Sequence, residues 1–115
     1  MNGKDWQIYF FKHNNRSPVE DWLNGLPADT RSKILRHLEL LKKNALSLKE
    51  PFVKHIKNKI YELRTQDKDG IYRILYFAHK EKTFILLHGF VKKTNKTPDE
   101  AIKIAENRMK IINKN

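Results

Sequence analysis

The sequence predicts a small α+β domain of the order β-α-α-β-β-β-α, an antiparallel twisted sheet with helices packed on one face. Three observations carry this expectation. Three β-rich stretches lie between residues 59 and 93, separated by short polar connectors. Apolar residues recur at helical spacing around residues 34–41 and again after residue 100. Two motifs, Ser17-Pro18-Val19-Glu20 and Thr97-Pro98-Asp99-Glu100, carry the capping-box signature of a helix start.

Each element follows in order. Trp6-Gln7-Ile8-Tyr9-Phe10-Phe11 has strand composition and reads as an edge strand. The first capping box opens a short helix through Trp22 and Leu23 that ends near Asn24-Gly25. Pro27 and Asp29 introduce a longer helix, with Ile34, Leu35, Leu38 and Leu41 on one stripe and Arg31, Arg36 and Lys42 off it. Residues 44–58 read as a connector anchored by Leu46, Leu48, Phe52 and Ile56. Three strands follow at residues 59–64, 71–77 and 84–93, joined by hairpin-length polar connectors. The second capping box opens a C-terminal helix with Ala101, Ile104, Ala105, Arg108 and Ile111 on one face. No internal repeat interrupts this order, so residues 1–115 read as a single domain.

Composition narrows the function. There is no cysteine, which excludes disulfides and thiol catalysis. No run of about 18 apolar residues is present to cross a membrane. Met1-Asn2-Gly3-Lys4-Asp5-Trp6 lacks the apolar core of an export signal, so the cytoplasm is the default. The net charge is +11 and it is uneven: residues 1–50 hold nine basic and six acidic residues (+3), residues 51–115 fifteen and seven (+8). A positive half of this kind suits a polyanion, most often nucleic acid; a solvated lysine-rich surface is the plain alternative.

Within that half, Arg64 and Arg73 stand inside apolar strands, where an unpartnered charge is expensive. Strand alternation puts Glu62 with Arg64, and His88 and Phe90 with Lys92. If Arg64, Arg73, His88 and Lys92 share one face, that face is cationic and partly aromatic, with helices on the other. Arginine's planar fork matches phosphate geometry and keeps its charge. Against this, Arg64 would pair with Glu62 or Asp67, Arg73 with Glu62, and His88 would be a satisfied core residue. The five histidines show no metal-ligand spacing, and no glycine-rich phosphate loop, nucleophile signature or paired carboxylates are present. Phosphate chemistry on this face is therefore expected to proceed without a metal or other cofactor.

Tyr61-Glu62-Leu63-Arg64, Tyr72-Arg73-Ile74-Leu75-Tyr76, Leu87-His88-Gly89-Phe90-Val91-Lys92-Lys93-Thr94 and Thr97-Pro98 ahead of a helix at about Ala101 together resemble the HigB-like, phage-derived branch of the RelE/ParE toxin superfamily. The resemblance runs from the helical hairpin to the C-terminal helix. It implies a type II toxin held silent by a helix-turn-helix (HigA-like) antitoxin, and cleavage of mRNA in the ribosomal A site. Such cleavage uses attack of the 2′-OH on the adjacent phosphorus, giving a 2′,3′-cyclic phosphate and a 5′-hydroxyl. By the resemblance, Arg73 clamps the scissile phosphate and Arg64 stabilises the developing charge, a term commonly worth about 3–4 kcal/mol per donor. The base is open among His88, whose type titrates near neutrality, His55 as runner-up, and Lys54 and Lys57, since RelE uses lysines in the matching connector. Lys92 is expected among the catalytic residues, contacting phosphate or shifting a neighbour's pKa, Lys93 on the RNA, and Phe90 or Tyr76 stacked on a base. RelE's C-terminal tyrosine has no counterpart; the helix stands in its place. A ParE-like gyrase inhibitor and a non-enzymatic basic nucleic-acid-binding module are the competing readings.

Overall fold

The computed structural model describes residues 5–114. Residues 1–4, most of the segment read above for an export signal, lie outside the described residues. The order is β1 (Gln7–Phe10), α1 (Pro18–Asn24), α2 (Ala28–Asn44), a 3₁₀ turn (Ala45–Ser47), β2 (Val53–Lys57), β3 (Ile60–Asp67), β4 (Gly70–His79), β5 (Thr83–Lys92) and α3 (Asp99–Asn113). The expected α+β architecture is present, with one strand more than the sequence suggested. Part of the connector, Val53–Lys57, pairs antiparallel with β3 as an edge strand. Its lysines and histidine leave most of its side chains exposed, which weakens the period-2 signal and also guards an open edge. Asn58, at φ 51°, turns the chain tightly into β3.

The strand order is β1-β5-β4-β3-β2. Strands β2 to β5 form an antiparallel meander, and β1 joins β5 in parallel as the far edge, so the sheet is mixed. The α1–α2 hairpin supplies the expected helical cover of one face: Val19, Leu23, Ile34, Leu38 and Leu41 meet Leu63, Tyr72, Ile74, Tyr76, Phe84 and Leu86. Leu35, assigned to that stripe above, points outward at 44% exposure; Thr30 joins the buried positions of α2 instead. Gly89 lets α1 approach, since a Cβ there would lie 2.3 Å from the Trp22 ring.

On the opposite face α3 covers one end of the sheet. Ala101 and Ala105 sit over Leu75, Phe77, Ile85 and Leu87. Arg108 fastens this helix, donating to the Leu87 carbonyl at 2.7 Å. Leu87 lies where the β4–β5 register slips between Leu75 and Tyr76, and a bulge there leaves a carbonyl for a side chain to take. The other end of this face is not covered by a helix, and the arginines lie there.

Neither capping box forms as the sequence suggested. Ser17 is the N-cap of α1 but makes no side-chain cap bond. Pro98, not Thr97, is the N-cap of α3. The Thr97 hydroxyl instead donates to Glu62 Oε2 at 2.6 Å. A buried carboxylate holds this hydroxyl more strongly than a helix N-terminus would.

Candidate functional site

Strand register fixes the layout. Arg64 stands directly opposite Arg73, and Arg73 opposite Phe90, which makes one row across β3, β4 and β5. The next row outward is Gln66, Ile71 and Lys92; the next inward is Lys54, Glu62, Leu75 and His88. Directly paired residues point to the same side of a sheet. Arg64, Arg73, His88, Phe90 and Lys92 therefore share one face, as expected, and Lys54 joins them.

Two guanidinium groups side by side repel each other. Glu62 offsets this. It is fully buried, accepts from Arg64 Nε at 2.8 Å and takes the Thr97 hydroxyl on its other oxygen. The Arg64 side chain is 18% exposed and also donates through Nη2 to the Asn95 carbonyl at 2.6 Å. Arg73 is wholly buried. Its Nη1 donates to the Lys96 carbonyl at 2.9 Å and its Nη2 to the Thr94 carbonyl, while its Nε has no partner. Burial lowers its pKa from the ordinary arginine value, the Glu62 charge opposes that shift, and Arg64 adds to it; an arginine nonetheless keeps its proton. The Arg73 guanidinium carbon lies 5.9 Å from the Phe90 ring centre. Three consecutive carbonyls, of residues 94–96, thus converge on the two arginines and fold the β5–α3 loop over them. Beside Arg64 a cavity of about 310 Å³ opens, lined also by His37, Phe52, Gln66, Ile71 and Asn95.

The family model of phage-derived Gp49-like proteins (DUF891) matches residues 21–110. The chain belongs to the Gp49-like family. That family falls within the RelE/HigB-type toxin superfamily, whose RelE-type members are endoribonucleases. No curated protein matches the chain. The Gp49-like match starts inside α1 and ends inside α3, so it spans both arginines, the loop above them and β2.

The remaining expected site residues divide. Phe90 lies on the arginine face, stacked on His88 with ring centres 5.5 Å apart. Lys92 and Lys93 are exposed at the open end of β5. His88 does not titrate near neutrality: burial first, then the Arg108 charge, hold it down to about 4. Its imidazole is neutral at pH 7 and a weak base. Tyr76 belongs to the other face, buried edge-on against Phe84 at 5.3 Å, with its pKa driven up by burial and by Tyr61. A residue that fills the core cannot stack on a base. His55 alternates away from Lys54, packs on Tyr61 and bonds the Asn58 carbonyl at 2.6 Å. Lys57 is tied to Glu106 of α3 at 3.1 Å. Tyr76 and His55 are thus separated from the arginines by the sheet itself.

Of the two partners that the sequence offered Arg64, Glu62 holds it; Thr97 as the second anchor of Glu62 and the 94–96 carbonyls were missing from the sequence reading of this Gp49-like site. Only Glu62 carried a signal, a carboxylate two residues before an arginine on the same side of a strand.

Proposed function

We propose that this chain is the toxin of a type II toxin–antitoxin pair, of the HigB-like branch, and that it cuts mRNA in the ribosomal A site. It would act in the cytoplasm, and a helix-turn-helix (HigA-like) antitoxin would silence it. The observation that carries this reading is the row Arg64–Arg73–Phe90 on the part of the sheet that no helix covers, with the 94–96 loop over the arginines and Lys54 and Lys92 in the adjoining rows. A row of that composition offers a phosphate one accessible planar cation, Arg64, with a second charge buried beside it, and an adjacent base one aromatic ring.

The step is attack of the 2′-oxygen on phosphorus with departure of the 5′-oxygen. The 2′-hydroxyl gives up its proton and the 5′-oxygen gains one. Arg64, the more exposed arginine, contacts the phosphate and stabilises the phosphorane. Arg73, held below, adds a fixed positive charge, and reaches the scissile phosphate as a clamp only when the 94–96 carbonyls release it. Lys92, Lys93 and Lys54 bind flanking phosphates, and Phe90 stacks on a base. Proton transfer works best with a base near the working pH, and a His88 held at about 4 falls well short. The reaction therefore leans on charge stabilisation, where one well-placed donor is worth about 3–4 kcal/mol, with Lys54, in the row next to Arg64, the remaining candidate to take the proton.

The test is cleavage of a defined mRNA with and without ribosomes. Purified protein should cut ribosome-bound mRNA far faster than naked RNA and leave a 2′,3′-cyclic phosphate. Equal cleavage of naked RNA would sink the A-site reading, and gyrase-dependent DNA breaks with intact mRNA would replace it with a ParE-like one.

A further inference from the structure

We infer that Glu62 is the positioning residue of this site, and that it works by fixing the Arg64 guanidinium in the direction from which it meets the phosphate. The inference rests on the nuclease reading above and deepens it.

Glu62 is a charged group with no exposure at all. A buried carboxylate is expensive unless its oxygens are bonded and its charge is paired. Both conditions are met, and by groups that matter to the site. One oxygen takes Arg64 Nε at 2.8 Å, the other the Thr97 hydroxyl at 2.6 Å. Holding Arg64 by Nε keeps its two terminal nitrogens out of the ion pair. Nη2 lies on the Asn95 carbonyl, and Nη1 makes no protein hydrogen bond among the described residues. An arginine held this way loses little further freedom when an anion arrives, which favours a transition state over a loosely bound ground state. Through Thr97, Glu62 also anchors the C-terminal end of the loop whose carbonyls cap Arg73. The charge of Glu62 acts on Arg64 alone, while its link to the loop over Arg73 runs through the Thr97 hydroxyl, which the acceptor oxygen kept in Glu62→Gln still takes.

A residue that acts through Arg64 has no effect once Arg64 is gone. Glu62→Gln keeps the size and an acceptor oxygen but removes the charge. In single-turnover cleavage of ribosome-bound mRNA, E62Q should be slower by about 10- to 100-fold, with apparent affinity for the ribosome changed by less than about threefold. The double variant E62Q/R64A should be no slower than R64A alone. Multiplying losses would overturn the inference, because they mean that Glu62 acts by another route. Should E62Q fail to fold, Glu62→Asp keeps the charge, draws it back by one methylene and gives the same cycle. Arginine Nε–H NMR gives a readout that needs no cleavage: Arg64 should show one ordered signal in the wild type and an averaged one in E62Q. An Arg64 signal unchanged by the substitution refutes the positioning role. A wild type that cuts no mRNA refutes the nuclease reading instead, and the NMR comparison still decides whether Glu62 orders Arg64.

Discussion

Arg73→Ala should unfold the protein more readily before it says anything about catalysis. The side chain is fully buried, and two of its nitrogens hold the Thr94 and Lys96 carbonyls. Hydrogen bonds to a charged group contribute about 1.5–3 kcal/mol each, so losing both costs about 3–6 kcal/mol. The substitution also removes a buried charge whose Nε has no partner, which returns about 1–3 kcal/mol. At mid-range the net loss is about 2.5 kcal/mol, a large share of the roughly 5–15 kcal/mol that stabilises a domain of this size. With urea slopes of about 1–3 kcal/mol/M, the midpoint falls by about 1–2 M while the slope stays the same. Arg73→Lys should recover less than half of this, because one ammonium cannot span two carbonyls as a planar fork does. The assay is urea denaturation of both variants beside growth arrest on expression without antitoxin. An Arg73→Ala protein within about 0.5 kcal/mol of wild type would refute the loop-holding role. If such a protein were also non-toxic, Arg73 would belong to the chemistry directly.

Three further outcomes follow from the same geometry. Burial and Arg108 depress the His88 pKa to about 4 from 6.5, and burial lowers His37 in the same direction, so the unfolded chain binds protons that the folded one refuses. Stability should then be full above about pH 6.5 and fall as the pH drops toward 4; His88→Gln should flatten that fall in thermal melts, and an NMR titration midpoint for His88 above 6 would contradict the burial argument. Gly89→Ala should cost about 1–3 kcal/mol in urea melts, since the new Cβ meets the Trp22 ring at 2.3 Å, whereas Gly25→Ala, with nothing nearer than 3.6 Å, should cost well under half as much. Lys92→Ala should leave the urea midpoint unchanged and lower the slope of log RNA affinity against log salt by about 0.7–1.

The elements were legible in the sequence wherever packing and pattern agree. Residues 72–77 and 84–87 are apolar and β-rich because two layers bury them, and α2 shows its stripe because one side faces the sheet. Strand β2 was illegible because an edge strand rich in lysine buries little, and a periodic signal needs burial. The arginine row was legible in part. Alternation puts Arg64 and Glu62 on one side of a strand, but the pairing of Arg64 with Arg73 depends on register, which the hairpin length alone does not fix. Tyr76 shows the limit most clearly. Its residue type suits base stacking, and one step of alternation puts it in the core instead. The capping boxes failed for a related reason. Thr97 has the composition of a cap, yet a carboxylate 35 positions earlier in the chain takes its hydroxyl.

The charges on this face fall into two kinds, and the division bears on how the site would work. Arg64 is held by Glu62 and the Asn95 carbonyl, so its direction is set before any ligand arrives, and Arg73 is locked beneath the loop carbonyls as a fixed charge. Among the described residues Lys54, Lys92 and Lys93 form no ion pair, while Lys57 is neutralised by Glu106. Exposed, mobile lysines attract a polyanion at long range and lose that attraction as salt rises. A fixed guanidinium does little at long range but stabilises charge at one point, where preorganised donors act without reorganising. Affinity should therefore follow the lysines and rate the arginines. Raising the salt concentration should weaken RNA capture steeply while leaving the single-turnover rate of already bound RNA nearly constant. Parallel loss of both with salt would mean that the arginines, too, are merely part of a diffuse positive surface.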